Sequence, residues 1–133
     1  MCIRDSYGTK GQGSASNSPG GRASASAWTD ASGTLWLFGG LGMDSTQSYG
    51  MLNDLWKFSP SGGTWTWYGG SNLRDAPTNY GVKGVSGAAN GPGGRKDATA
   101  WADSTGALWL FGGETCDCSF PYHHTNELWK FDP

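Results

Sequence analysis

The sequence predicts an all-β fold built from repeated four-stranded antiparallel sheets, and three observations carry that expectation. The chain repeats itself at a fixed offset. Its apolar residues fall in short runs bounded by turn residues. Its composition pairs large rings with glycine: of 133 residues, 23 are Gly and 8 are Trp, with 14% aromatic and 15% charged. Gly at about 17% is more than twice the ordinary ~7%, and the wealth of rings argues against disorder, because disordered chains are poor in aromatics. Several classes are excluded at once. No apolar run approaches the ~18 residues of a membrane span. The glycines lack the period of three that collagen requires. Nine Lys and Arg against eleven Asp and Glu give a net charge of −2, with no basic excess for nucleic acid.

The repeat comes first, since it decides the fold. At an offset of 73, Pro19-Gly20-Gly21-Arg22 returns as Pro92-Gly93-Gly94-Arg95. Leu35-Trp36-Leu37-Phe38-Gly39-Gly40 returns as Leu108-Trp109-Leu110-Phe111-Gly112-Gly113. Asn53-Asp54-Leu55-Trp56-Lys57-Phe58 returns as Asn126-Glu127-Leu128-Trp129-Lys130-Phe131. Residues 19–60 share 23 of 42 positions with 92–133, and Tyr7-Gly8-Thr9-Lys10-Gly11 returns as Tyr80-Gly81-Val82-Lys83-Gly84. None of Met1 to Ser6 equals its partner. Met-Cys-Ile-Arg-Asp-Ser also matches the conceptual translation of a sequencing-library adapter, so residues 1–6 read as a scar to be set aside. On that reading Cys2 is not native. The chain ends soon after Phe131, whereas Phe58 is followed by a fourth apolar segment, so the sequence reads as a fragment of a longer array.

Each element follows from local pattern. Within the first repeat the expected strands are Ala23–Thr29, Leu35–Phe38, Leu55–Phe58 and Thr64–Tyr68, the last with strict Trp/Thr alternation. Asp30-Ala31-Ser32-Gly33 and its counterpart Asp103-Ser104-Thr105-Gly106 read as tight hairpins, since Asp supplies a side-chain turn bond and Gly a positive φ. Ser59–Gly63 is a second turn cluster. The Gly39-Gly40 doublet is expected to end the second strand. A small sheet of this kind cannot bury both faces alone, so neighbouring repeats should pack face to face. Trp28, Trp36, Trp56, Trp65 and Trp67 are then expected to fill the space between sheets.

On these residues the repeat resembles a kelch repeat: a Gly-Gly doublet after the second strand, aromatics in the third (Trp56, Phe58) and a Trp in the fourth (Trp65). The Pro-Gly-Gly-Arg and Leu-Trp-Leu-Phe-Gly-Gly segments look like the long kelch repeats of bacterial secreted proteins, and are similar to the central propeller domain of galactose oxidase. The resemblance covers Tyr7 to Pro133. It departs in length, 73 residues against the usual ~50, with the excess mostly in Gly69–Gly91. It implies a partial β-propeller of two four-stranded kelch-type blades, the second incomplete. The division is 7–18 inter-blade loop, 19–68 first blade, 69–91 long inter-blade loop, and 92–133 second blade lacking its outer strand. A propeller needs roughly 4–8 blades to close, so the remaining blades of the same chain are expected partners. Alone, this chain should expose Trp-rich sheet faces and aggregate or order weakly.

In such a meander the short hairpins share one end of the sheet, and the long connections Leu41–Asn53 and Gly69–Gly91 share the other. That long-loop face is the expected recognition surface, because scaffolds commonly carry function on loops. The competing reading of Tyr80–Gly84 is a glycine-rich structural collar. Arg22/Arg95 and Asp54/Glu127 recur as opposite charges, which suggests structural ion pairs within or between blades. The other reading is a ring of ligand-binding arginines.

The repeats diverge most at Glu114–His124. There Cys116, Cys118, His123 and His124 offer four soft donors in kind for Zn or Cu. Their spacing is not a standard zinc spacing. A Cys116–Cys118 disulfide, free thiols and a metal site remain open. The functional expectation is a non-catalytic binding or scaffold module engaging protein or carbohydrate, extracellular or at the cell surface. Neither a cofactor nor a metal nor a catalytic residue is assigned. The alternative is a fragment of a secreted galactose-oxidase-like copper enzyme whose active site lies outside this segment. Nothing here matches that enzyme's ligand motifs residue by residue: Cys116, Tyr122 and His123 share only residue types. No helix-opening phosphate loop or EF-hand-like acidic ladder occurs.

Overall fold

The computed structural model describes residues 5–116 and 122–133. The described chain is all-β and propeller-like, and none of its helices is long and apolar enough to cross a membrane. The first sheet comprises β1 (Arg22–Ala23), β2 (Ser26–Thr29), β3 (Leu35–Met43), β4 (Tyr49–Ser59) and β5 (Thr64–Gly69). β2, β3, β4 and β5 form an antiparallel meander, and β1 pairs with the far half of β3. The second repeat builds the same pattern in pieces: β6 (Arg95–Lys96), β7 (Thr99–Ala102), β8 (Leu108–Phe111), β9 (Glu114–Thr115), β10 (His123–His124) and β11 (Leu128–Phe131). β7, β8 and β11 make one sheet, while β6, β9 and β10 make a smaller one.

The glycine doublet does not end the second strand. β3 runs on to Met43 with its register shifted between Phe38 and Gly40, a β-bulge. Gly39 and Gly40 have φ of 62° and 94°, and their counterparts Gly112 and Gly113 have 67° and 100°. A Cβ on Gly39 would lie 2.8 Å from the carbonyl oxygens of both Leu52 and Arg95, so no side chain fits. The steric argument for glycine is sound; its consequence is a bulge that carries the strand forward. The connection expected as a loop over 41–53 is therefore mostly a projecting β-hairpin. In it Leu41, Gly42 and Met43 pair with Met51, Gly50 and Tyr49.

Cross-strand register fixes the two faces of each sheet. Trp28, Trp36, Lys57 and Thr66 form one row; Ala27, Leu37, Trp56 and Trp67 form the adjacent row on the opposite face. The Trp36 face receives the second sheet, where Phe131 meets Trp36 at 5.8 Å and Tyr68 at 5.6 Å between ring centroids. Trp36 thus fills the space between sheets as expected. Trp56, fully buried, packs instead against Tyr7 and Trp65 on the other face.

Residues 7–18 lie along the free edge of β5. Gly11 N–H donates to Trp67 O at 2.8 Å and Ser14 N–H to Trp65 O at 3.2 Å, which blunts a strand edge that could recruit another chain. The repeat also continues further upstream in conformation than in sequence. Ser6 pairs with Ser18 as Asn79 pairs with Gly91, 73 residues on.

Candidate functional site

The recurring charges come together inside each repeat. Arg22 grips Asp54 with two bonds, Nη1 to Oδ1 at 2.6 Å and Nη2 to Oδ2 at 2.9 Å, with both side chains buried. The Tyr7 hydroxyl donates to Asp54 Oδ2 at 2.8 Å and the Trp56 indole N–H at 2.7 Å. Burial, then the Asp54 carboxylate, raise the Tyr7 hydroxyl far above its ordinary value. Burial alone would pull Arg22 down, but its bonds to Asp54 outweigh that and leave it raised. The second repeat copies the cluster. Arg95 Nη2 donates to Glu127 Oε2 at 2.9 Å, the Trp129 indole at 2.8 Å, and the Tyr80 hydroxyl to Oε1. Burial of Glu127 opposes its charge, yet bonds from Tyr80, Trp129 and Arg95 lower its pKa.

Both arginines also donate to backbone at matching places: Arg22 to Gly20 O and Gly39 O, Arg95 to Gly93 O and Gly112 O. Four of the five Arg22 N–H donors and all five of Arg95 are therefore bonded within the repeat or the segment that precedes it. The arginines form structural ion pairs, not a ring of ligand-binding groups. Sequence reasoning missed the tyrosines as third members, although Tyr7 and Tyr80 recur at the same offset as the charges they join. In the first copy the Tyr-Gly-x-Lys-Gly motif is tied to its own sheet. Lys10 Nζ donates to Gly70 O at 2.6 Å and lies 4.4 Å from the Trp67 ring centroid. A Cβ on Gly8 would strike Asn17 Oδ1 at 2.3 Å, and one on Gly81 would strike Asn90 Oδ1 at 2.2 Å.

Three turns share one chemistry. Asp30 Oδ1 accepts Ser32 N–H, the Ser32 hydroxyl and Thr34 N–H, while Oδ2 accepts the Trp36 indole. Asp103 repeats this with Thr105, Ala107 and Trp109. Bonds from Thr105 and Trp109 hold the Asp103 carboxyl well below the usual range. The third instance stands at the tip of the β3–β4 hairpin. Asp44 Oδ1 accepts Thr46 N–H, the Thr46 hydroxyl and Ser48 N–H, and its Oδ2 accepts Arg74 N–H at 3.0 Å. Burial works against the Asp44 charge, but the bonds from Arg74 N–H, Thr46 and Ser48 prevail and lower it to about 2.

Asp44 thereby ties the hairpin tip to the chain that follows β5. Ser45 N–H also donates to Asn72 O at 3.0 Å, and Asp75 bonds Met51 through both its backbone and its carboxylate. Three large apolar side chains stand exposed on this braced tip: the cross-strand pair Met43 and Tyr49, and Leu73. The meander places the tip and the segment after β5 at one end, opposite the Asp30 and Ser59–Gly63 turns. The expected long-loop end is thus an ordered, partly apolar platform.

At the divergent loop, Cys116 is half-buried after β9, and His123 and His124 are exposed in β10, opposite Thr115 and Glu114. Cys118 lies outside the described residues, and with it the Cys116–Cys118 pairing. Among the described residues no three His, Cys, Asp or Glu side chains gather as a metal site. His124 Nε2 lies 4.0 Å from Glu114 Oε2, which also pairs through Oε1 with Lys96 at 3.5 Å.

No protein-family model matches the chain, and no curated protein sequence matches it. Among solved structures it is similar to the one described as "Structure of YjhT", with a TM-score of 0.49 and 22% identity. The likeness covers 72% of this chain, which spans 22% of the length of that one.

Proposed function

We propose that the chain is part of a kelch-type β-propeller acting as a non-catalytic binding module, which engages a protein or carbohydrate through the end bearing the 43–49 tip and residues 72–75. The observation that carries this reading is the exposed trio Met43, Tyr49 and Leu73 on a tip whose backbone Asp44 fixes. Apolar and aromatic groups on a preorganised loop bind with little ordering entropy left to lose. The two arginine–acid clusters support the reading from the other side, since their groups serve the sheets. Further blades of a longer chain would complete the propeller, at the cell surface or outside the cell.

Affinity electrophoresis through gels containing soluble polysaccharides or mucin tests the proposal. At least one of these ligands should retard the chain. Tyr49→Ala and Leu73→Ala should each weaken retardation roughly tenfold, while Ser61→Ala at the opposite end leaves it unchanged. Absence of retardation by every ligand, or retardation of both the Tyr49 and Leu73 variants equal to that of the wild type, would overturn it.

A further inference from the structure

Granted that this end of the sheet is the binding surface, we infer that the 43–49 tip is a subsite for a neutral sugar. The Tyr49 ring stacks on the flat C–H face of a pyranose, and the Gln47 amide reads its hydroxyl groups. Between residues 41–50 and 114–123, where the repeats diverge most, only Asp44 and Tyr49 keep their identity, as Asp117 and Tyr122. Asp44 has an internal reason to stay, because its hydrogen bonds fasten the tip. Packing gives no such reason for the tyrosine, which is 59% exposed in the first repeat and 50% exposed in the second. Tyr49 stays exposed with the segment that braces its tip in place.

Gln47 supplies the second observation. In the Asp30, Asp103 and Asp44 turns alike, the fourth residue donates its N–H to the carbonyl of the aspartate: Gly33 to Asp30, Gly106 to Asp103 and Gln47 to Asp44. All three have a left-handed backbone, with φ of 85° at Gly33, 87° at Gly106 and 66° at Gln47. Glycine adopts that conformation freely, whereas a residue with a Cβ is strained in it. Two turns take the easier residue; the tip keeps a long amide there, exposed and bonded to none of the described residues. Strain held at an exposed position points to a use for the side chain that imposes it. The surroundings name the ligand. Asp44 accepts four hydrogen bonds from the chain, and Arg74 pairs with Asp75, so these charges at the tip are compensated. A neutral sugar needs no counter-charge: its C–H face matches an aromatic ring, and its hydroxyls match an amide that both donates and accepts. Met43, paired with Tyr49 across the hairpin, and Leu73 extend the apolar surface beside the ring. A protein partner calls for an apolar core within roughly 800 Å² of contact, which three side chains on a hairpin tip do not supply.

Isothermal titration calorimetry with cellopentaose, mannopentaose and the anionic alginate pentamer tests this. At least one of the two neutral sugars should bind, with an affinity unchanged between about 0.05 and 0.5 M salt, and alginate should not. Gln47→Gly should bind about fivefold more weakly, while its Tm stays level or rises because glycine relieves the backbone. That pairing of weaker binding with undiminished stability separates a lost contact from a misfolded tip. Tyr49→Ala should bind roughly tenfold more weakly, and Tyr49→Phe, which keeps the ring face, should retain most of the affinity. Binding of alginate in place of the neutral sugars, or a Gln47→Gly variant that binds like wild type, would overturn the inference. So would retardation by mucin that depends on Tyr49 with neither neutral sugar bound, a result that leaves the binding module itself standing. Failure of every sugar and of mucin would overturn both.

Discussion

Asp5→Thr should stabilise this protein, and the two repeats show why. Asp5 is the counterpart of Thr78. In the second repeat Thr78 Oγ1 accepts Gly93 N–H at 3.0 Å and Arg95 Nη2 at 3.4 Å. In the first, the Asp5 carboxylate occupies the space beside Gly20, and both its buried oxygens lack a hydrogen-bond partner. The nearby Tyr7 proton is already committed to Asp54. Burial raises the Asp5 pKa, Arg22 lowers it and Asp54 raises it again, with a net upward shift. Leaving a buried polar group unsatisfied costs about 1–3 kcal/mol, and Asp5 is only half-buried, so replacement by Thr should gain about 1–2 kcal/mol. For a chain of this size that is a Tm increase of roughly 3–8 °C. The sign with pH is distinctive. Because the folded pKa is raised, the folded chain holds a proton that the unfolded chain releases, so stability falls as pH rises between the ordinary value of 3.8 and the raised one. The penalty is complete above the folded pKa and absent below the unfolded one. Thermal unfolding followed by circular dichroism should show Asp5→Thr ahead at neutral pH. The two curves should converge near pH ~4. A destabilised Asp5→Thr protein, or a Tm difference independent of pH, would refute the reasoning.

Two other perturbations test the internal networks. Asp54→Asn leaves the Arg22 guanidinium buried without its counter-charge and should cost about 3–5 kcal/mol, read from urea midpoints. Glu127→Gln should cost less, because Arg95 keeps Gly112 O, Thr125 and Thr78 as acceptors. A cost below about 1 kcal/mol for Asp54→Asn would contradict the assigned role. For Asp44, with a pKa lowered to about 2, the stabilisation is present above the unfolded value and lost as pH falls through the folded one. The Tm gap between wild type and Asp44→Asn should therefore be widest above pH ~5 and close towards about 2; a constant gap would sink the assignment.

How much was legible depended on range. The strands at Leu35–Phe38 and Thr64–Tyr68 and the Asp30 and Asp103 turns rest on local pattern, and the structure has them where pattern places them. The ion pairs were legible because a 73-residue offset brings Arg22 with Asp54 and Arg95 with Glu127. What local pattern hides is partnership across the chain. Gly39-Gly40 looks like a stop until the Leu52 and Arg95 carbonyls that crowd it are known. Leu41–Asn53 looks like a loop because Gly42 and Gly50 are poor strand formers in isolation. The Met43, Tyr49 and Leu73 platform was foreseen only as an end of the sheet, since residues 30 apart in sequence meet there through Asp44.

The connection after β5 divides its loyalties at a single place. Ser71, Arg74 and Asp75 are bonded back to Asn53, Asp44 and Met51 of the first sheet. Ala76, Thr78 and Tyr80 are bonded forward to Gly94, Gly93 and Glu127. The inheritable module is then the tyrosine-bearing segment plus the sheet that follows it, with its seam between Asp75 and Ala76. Shuffling or transplanting repeats at Pro19 or Pro92 would sever each sheet from the tyrosine that completes its buried cluster. Exchange at the seam would move each sheet together with the tyrosine that completes its buried cluster.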